Sequence, residues 1–147
     1  MQYSKVKFVK ELKKNHLKLT GQRLAIYKYL TKTREHPRAD VIYQSVLKKY
    51  PHISFATVYK NLGALSRSGM INEINVGEDN FRYDADTSEH SHLICEKCHD
   101  ISDYFDLNSG DIKANIQAFT GFEIKSQRMF FYGTCPRCKS GEQNAGA

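Results

Sequence analysis

His90-Ser91-His92-Leu93-Ile94-Cys95-Glu96-Lys97-Cys98 interleaves two kinds of metal ligand within nine residues. Cys95 and Cys98 make a CxxC knuckle. A second knuckle, Cys135-Pro136-Arg137-Cys138, follows after 36 intervening residues and uses the remaining cysteines of the chain. A lone CxxC fits a redox motif, but four thiolates in two such pairs describe a closed tetrahedral zinc site. That usage also fits a reducing compartment better than a secreted, disulfide-bonded one. His90 and His92 need a separate explanation. One residue apart on a strand, their rings point to the same face, as two ligands of one metal require.

Outward from this stretch, residues 91–95, 101–107 and 122–133 read as strands, and Ile112, Ile116 and Phe119 recur on a helix over 111–119. Zinc across the two knuckles pins the exit of the last strand to the end of the first. That staples a small α/β module of about 60 residues, too few to build a sufficient core unaided. Residues 139–147 are polar and are expected to be a disordered tail.

The first half has a different texture. Residues 1–84 hold 16 Lys plus Arg against 7 Asp plus Glu, a balance of +9, whereas residues 85–147 hold 6 against 9, a balance of −3. The asymmetry predicts one module facing a polyanion and another with a different task. Residues 4–15 read as an amphipathic helix with Val6, Val9 and Leu12 on one side. Thr20 caps a second helix over 21–33, with Leu24, Tyr27 and Leu30 beside Ala25 and Ile26 on its buried side. Pro37 precedes a third helix over 39–50 with Val41, Ile42, Val46 and Leu47 inward, and Pro51 closes it.

Ser54 then caps a helix over 54–67 whose core face is Val58, Leu62 and Leu65. Its other face carries Thr57, Tyr59, Lys60, Asn61 and Arg67, a mixture suited to phosphates and base edges in a major groove. Residues 70–76 and 80–84 around Gly77-Glu78-Asp79 read as a hairpin. The last three of these four helices and the hairpin, in a strongly basic module, predict a winged-helix DNA-binding domain over 1–84, followed by the α/β module over 85–147. The fold class is α+β.

At 147 residues and 40 % hydrophobic the chain can bury a real core. No window is apolar enough for a membrane span, and the lysine-rich start lacks the apolar run of a signal peptide, so a cytoplasmic protein without membrane partners is expected.

The chain resembles the ferric uptake regulator family, and within it the peroxide-sensing repressors. The resemblance runs from Leu17-Lys18-Leu19-Thr20-Gly21-Gln22-Arg23 through His36-Pro37-Arg38-Ala39-Asp40, Ala56-Thr57-Val58-Tyr59-Lys60-Asn61-Leu62 and Tyr83-Asp84 to both cysteine pairs. It implies that the second half is a dimerisation domain, so that a homodimer addresses an inverted-repeat operator on double-stranded DNA. Lys18, Arg23, Thr57, Tyr59, Lys60 and Asn61 become the expected DNA-binding residues. It also implies a regulatory metal site of His36, Asp84, His90, His92 and Asp103. Three imidazoles and two carboxylates suit iron(II) or manganese(II), whereas the sulfur site suits zinc. His16, His52 and His99 match no such position.

Iron-uptake members usually carry a histidine-rich run here, and some use a further metal site. Here Glu89 and Ser91 flank the histidines, and Gly110 and Gln127 stand where that further site has ligands. With Asp84 where iron-uptake regulators more often carry glutamate, the departure points to the peroxide type. That type implies iron-directed oxidation of His36 and His90 by hydrogen peroxide, loss of metal and release of the operator. Cysteine oxidation is the rival chemistry, ranked second because zinc-held thiolates are less available. An iron- or manganese-responsive uptake repressor without peroxide sensing is the alternative. A metallohydrolase would need a general base and a substrate pocket that no motif supplies, so no enzyme activity is expected. A zinc-structured interaction module without DNA binding, its basic first half an ordinary solvated surface, is a further alternative that a salt-dependent shift assay on operator-like DNA separates.

Overall fold

The computed structural model describes residues 4–77, 79–105 and 109–141. The expected tail from residue 142 onward lies outside the described residues, as do Glu78 of the expected turn and residues 106–107 of the expected second strand. The chain folds as two units, one ending at Thr87 and the other starting at Ser88. Among the described residues no helix is long and apolar enough to cross a membrane.

The first unit runs α1 (Lys5–Lys14), α2 (Gly21–Leu30), α3 (Ala39–Leu47), α4 (Phe55–Arg67), β1 (Asn72–Asn75) and β2 (Phe81–Asp84). Three of its helices open on hydroxyl caps, which satisfy backbone donors that have no partner within the helix. Ser4 Oγ accepts from the Lys7 N–H at 3.4 Å, Thr20 Oγ1 from the Arg23 N–H at 3.2 Å, and Ser54 Oγ from the Thr57 N–H at 3.1 Å. Val58, Leu62 and Leu65 of α4 are wholly buried, and Ile26, Leu30, Ile42 and Val46 meet them in one core.

Two expected faces are corrected. In α1 the buried pair is Phe8 and Leu12, one turn apart, while Val6 is 81 % exposed. The Phe8 ring stacks on Tyr27 with centroids 4.4 Å apart, so the larger apolar side chain sets which face turns inward. In α3, Ile42 and Val46 are buried and Val41 faces outward; the helix ends at Leu47, ahead of Tyr50.

β1 and β2 pair antiparallel from Asn72↔Asp84 to Asn75↔Phe81. The Val76 N–H donates to the Asn80 carbonyl at 2.9 Å, and Gly77 turns the chain at φ +105°, where a side chain would be strained. The Tyr83 N–H donates to the Pro37 carbonyl at 3.1 Å, which lays the segment before α3 along β2. With α2, α3 and α4 packed under this hairpin, the unit is a winged helix.

The second unit runs β3 (Ser91–Cys95), β4 (Ile101–Tyr104), α5 (Ser109–Thr120), β5 (Met129–Gly133) and α6 (Pro136–Lys139). The sheet order is β4-β3-β5, with β3 antiparallel to β4 and parallel to β5, so α5 lies on the crossover. The third expected strand is shorter than residues 122–133: only Met129–Gly133 pairs. Ile112, Ile116 and Phe119 of α5 are 40 %, 46 % and 92 % exposed, and Leu93 and Phe131 on one face of the sheet are 42 % and 44 % exposed.

Candidate metal centres

The parallel pairing of β3 with β5 sets Cys95 opposite Gly133, and the chain turns immediately after each strand. Both knuckles therefore start from one end of the sheet. The Glu96 N–H donates to the Gly133 carbonyl at 2.8 Å, and the Cys135 N–H donates to Cys95 Sγ at 3.3 Å. All four sulfurs of Cys95, Cys98, Cys135 and Cys138 lie within 4.8 Å of one another, and none is in a disulfide. Cys98 Sγ and Cys135 Sγ are 3.8 Å apart. A tetrahedral zinc with bonds of about 2.3 Å requires an S–S edge of about 3.8 Å, so the donor set and its size both fit zinc.

The electrostatics agree. Donation from the Cys135 backbone N–H favours the Cys95 thiolate and lowers its pKa to about 6. The neighbouring Cys135 sulfur pushes Cys138 up to about 12, and burial pushes Cys98 up. Four sulfurs this close cannot all become thiolates unless a cation offsets their mutual repulsion. Arg137, inside the second knuckle, forms an ion pair with Asp100 just beyond the first. Sequence reading missed that pair, although both residues adjoin ligands.

A nitrogen and oxygen cluster forms farther along β3. His92 and Asp103 are directly opposite in the β3–β4 ladder. His92 Nδ1 lies 3.2 Å and His90 Nε2 3.4 Å from the same oxygen, Asp103 Oδ1, and the two imidazole centroids are 4.5 Å apart. His90 Nδ1 is 2.9 Å from the Ser88 carbonyl. If Nδ1 donates there, the bond fixes the ring and leaves the Nε2 lone pair facing Asp103, as a histidine ligand to a metal requires. Phe105 stacks on His90 at 4.9 Å and Phe130 on His92 at 5.6 Å. These aromatic walls also escaped sequence reading; Phe130 is the β5 register partner of His92, so strand pairing is what brings it there.

The other two expected ligands belong to the first unit. His36 is buried and holds φ +47°, an uncommon conformation for a non-glycine residue, just before Pro37. Asp84 ends β2, is buried, and accepts from the Asp86 N–H at 2.7 Å. The Tyr83–Pro37 backbone bond brings their two segments side by side.

On α4, Lys60 is exposed and Tyr59 is 46 % exposed, its ring beside Phe55 at 6.2 Å. Tyr83 lies beneath, its hydroxyl held in the neutral form by burial and by the Glu73 carboxylate opposite it in the hairpin. Lys18 is exposed and Arg23 half-buried. Thr57 is half-buried, its hydroxyl 2.8 Å from Ser54 Oγ. The expected outward placement of Asn61 is corrected. It is 8 % exposed, its amide N–H donates to the Thr57 carbonyl at 2.9 Å, and its carbonyl accepts from Arg23 Nε at 3.0 Å. The signal was present in the spacing: Asn61 is three residues after Val58 and four before Leu65, on the core face.

Residues 14–132 match the ferric uptake regulator family. The peroxide-responsive repressor PerR of Staphylococcus epidermidis is 38 % identical over 131 residues, 89 % of this chain and 87 % of that protein. The peroxide operon regulator of Bacillus subtilis is 37 % identical over 133 residues, covering 90 % and 92 %. Among solved structures, the Campylobacter jejuni peroxide stress regulator superposes with a TM-score of 0.72 at 31 % identity, over 92 % of this chain and all of that one. The Helicobacter pylori ferric uptake regulator, described as having three functional metal binding sites, shares the fold with a TM-score of 0.77 at 22 % identity, over 96 % and 93 %. With a winged helix, a small α/β unit, a four-cysteine cluster and this match along most of its length, the chain belongs to the ferric uptake regulator family.

Proposed function

We propose that this protein is a cytoplasmic, homodimeric, metal-dependent transcriptional repressor that binds an inverted-repeat operator and releases it when hydrogen peroxide oxidises its metal-binding histidines. The observation that carries this reading is the convergence of His90 and His92 on Asp103, a nitrogen and oxygen cluster separate from the four cysteines. The similarity to peroxide regulators at 37 % and 38 % identity supports the peroxide branch.

In this reading zinc at Cys95, Cys98, Cys135 and Cys138 is structural, and His36, Asp84, His90, His92 and Asp103 are the ligands of a regulatory iron(II) or manganese(II). Ligands drawn from both units couple metal occupancy to domain arrangement. Moving such an equilibrium from 1:99 to 99:1 takes about 5.5 kcal/mol of differential binding, a reasonable demand on five ligands. A second copy covers the apolar face of α5. Tyr59 and Lys60 on α4 face the DNA, with Lys18 in support and Arg23 and Thr57 shaping the surface.

Iron(II) held by these ligands would activate peroxide for O–O cleavage and end in its starting oxidation state, because the two electrons that peroxide takes up are those the imidazole ring gives up. One oxygen is inserted into a ring C–H of His36 or His90, and the other leaves as water with the two peroxide hydrogens. The oxidised imidazole binds metal weakly, and the operator is released. Iron loaded anaerobically and then exposed to peroxide should add about 16 Da to the peptides carrying His36 and His90, with operator affinity lost in parallel. Manganese-loaded protein should show neither change. Oxidation confined to cysteine, or equal with both metals, would return the protein to the simple metal-responsive class.

A further inference from the structure

Asn61 is the one buried amide on the core face of the recognition helix, and both of its ends are occupied. A guanidinium can only donate, so the amide oxygen faces Arg23 Nε, at 3.0 Å, and the amide nitrogen faces the Thr57 carbonyl, at 2.9 Å. Arg23 in turn donates through a terminal nitrogen to the Lys18 backbone carbonyl, and its own N–H is taken by Thr20 Oγ1 at 3.2 Å. The result is a continuous path from α4 through the first turn of α2 to the segment that carries Lys18. Lys18 itself is exposed.

We infer that Asn61 is a positioning residue for DNA binding: through Arg23 it holds Lys18 at a set place relative to the recognition helix. Neither Asn61 nor the Arg23 guanidinium then acts chiefly by touching DNA. Their work is to order the Lys18 segment before binding, so that the ordering cost is not incurred when α4 docks. Residue type matters at each step. Aspartate at 61 would lack the donor for Thr57, leucine would lack the acceptor for Arg23, and lysine at 23 would keep the charge but lose the fork that reaches two acceptors. The inference rests on the proposed reading that α4 and Lys18 face DNA, and its test separates the two.

The full chain is loaded with manganese and titrated, over a series of salt concentrations, against a duplex that it selects from a random pool. Lys18→Ala should weaken binding about tenfold and reduce the magnitude of the salt slope by about one. Asn61→Ala should reduce the slope by the same amount although Lys18 is still present. The double variant should then bind within about twofold of Asn61→Ala alone, a non-additivity that general destabilisation would not produce. Arg23→Lys should reproduce Asn61→Ala, and carries the same test if Asn61→Ala folds poorly. Additive losses, or an unchanged slope in both Asn61→Ala and Arg23→Lys, would overturn the positioning role alone. No effect of Lys18→Ala would overturn it together with the DNA-facing reading of Lys18.

Discussion

In the unit ending at Thr87, side chains from four helices and β2 converge on one apolar cluster, while in the unit starting at Ser88 Leu93, Ile112, Ile116, Phe119 and Phe131 are each 40 % to 92 % exposed. The first unit is stabilised by burial of its own side chains. The second holds a three-stranded sheet whose ends are gathered by four cysteines, and it leaves apolar surface for another molecule to cover. A short chain segment that cannot bury enough area can still be ordered by coordination and by association, and each of those makes folding conditional on something outside the chain.

Replacing Cys95 with serine is the severest way to break this contrast. Structural zinc sites of this kind supply on the order of 10 kcal/mol of metal-coupled folding energy. Cys95→Ser should therefore lose zinc and dimer and unfold the second unit, while the helical signal of the first persists. A zinc-free variant that stays dimeric by sedimentation would show that packing, not coordination, orders this half.

In the first unit the contrast turns on a single helix. Phe8→Ala should cost about 3–5 kcal/mol in chemical denaturation, because it empties the stacked position against Tyr27. Val6→Ala, at a position 81 % exposed, should stay within about 0.5 kcal/mol. Equal effects would mean that α1 presents a different face in solution.

Ile116→Asp probes the surface left open in the second unit. Placed on the exposed face of α5, the charge should leave zinc content and the melting curve of the monomer unchanged but weaken dimerisation at least tenfold, or about 1.4 kcal/mol. An unaffected dimer would place the interface elsewhere.

Lys60→Ala should leave both units folded and lower the magnitude of the salt slope for operator binding by about one. An unchanged slope would remove Lys60 from the interface.

The smallest effect expected is confined to alkaline pH. Burial, then the Glu73 carboxylate, raises the Tyr83 pKa above its ordinary value near 10. Its contribution to stability is fully present below pH 10 and is lost as pH rises toward the raised folded value. Thermal melts of Tyr83→Phe should therefore fall less steeply than those of the unsubstituted chain above pH 10. Parallel curves would mean that the hydroxyl is solvated.

Much of this molecule was legible in the linear order of residues, where the interaction concerned is local or depends on residue type alone. Thr20 and Ser54 cap their helices because a cap is made within three residues. Four cysteines in two knuckles indicate a closed site because few other arrangements use four thiolates, and His90 and His92 share a face because strands alternate. Tertiary structure decided whatever depended on the partner across the fold. Val6 and Phe8 are both apolar, and only the stack on Tyr27 selects Phe8 for burial. Phe130 reaches His92 through a parallel pairing between strands far apart in the chain. Asn61 has the chemistry of a base-reading residue, but Arg23, 38 positions away, is the group its amide meets. A buried amide must be hydrogen-bonded, and which group supplies the bond is settled only when the helices pack.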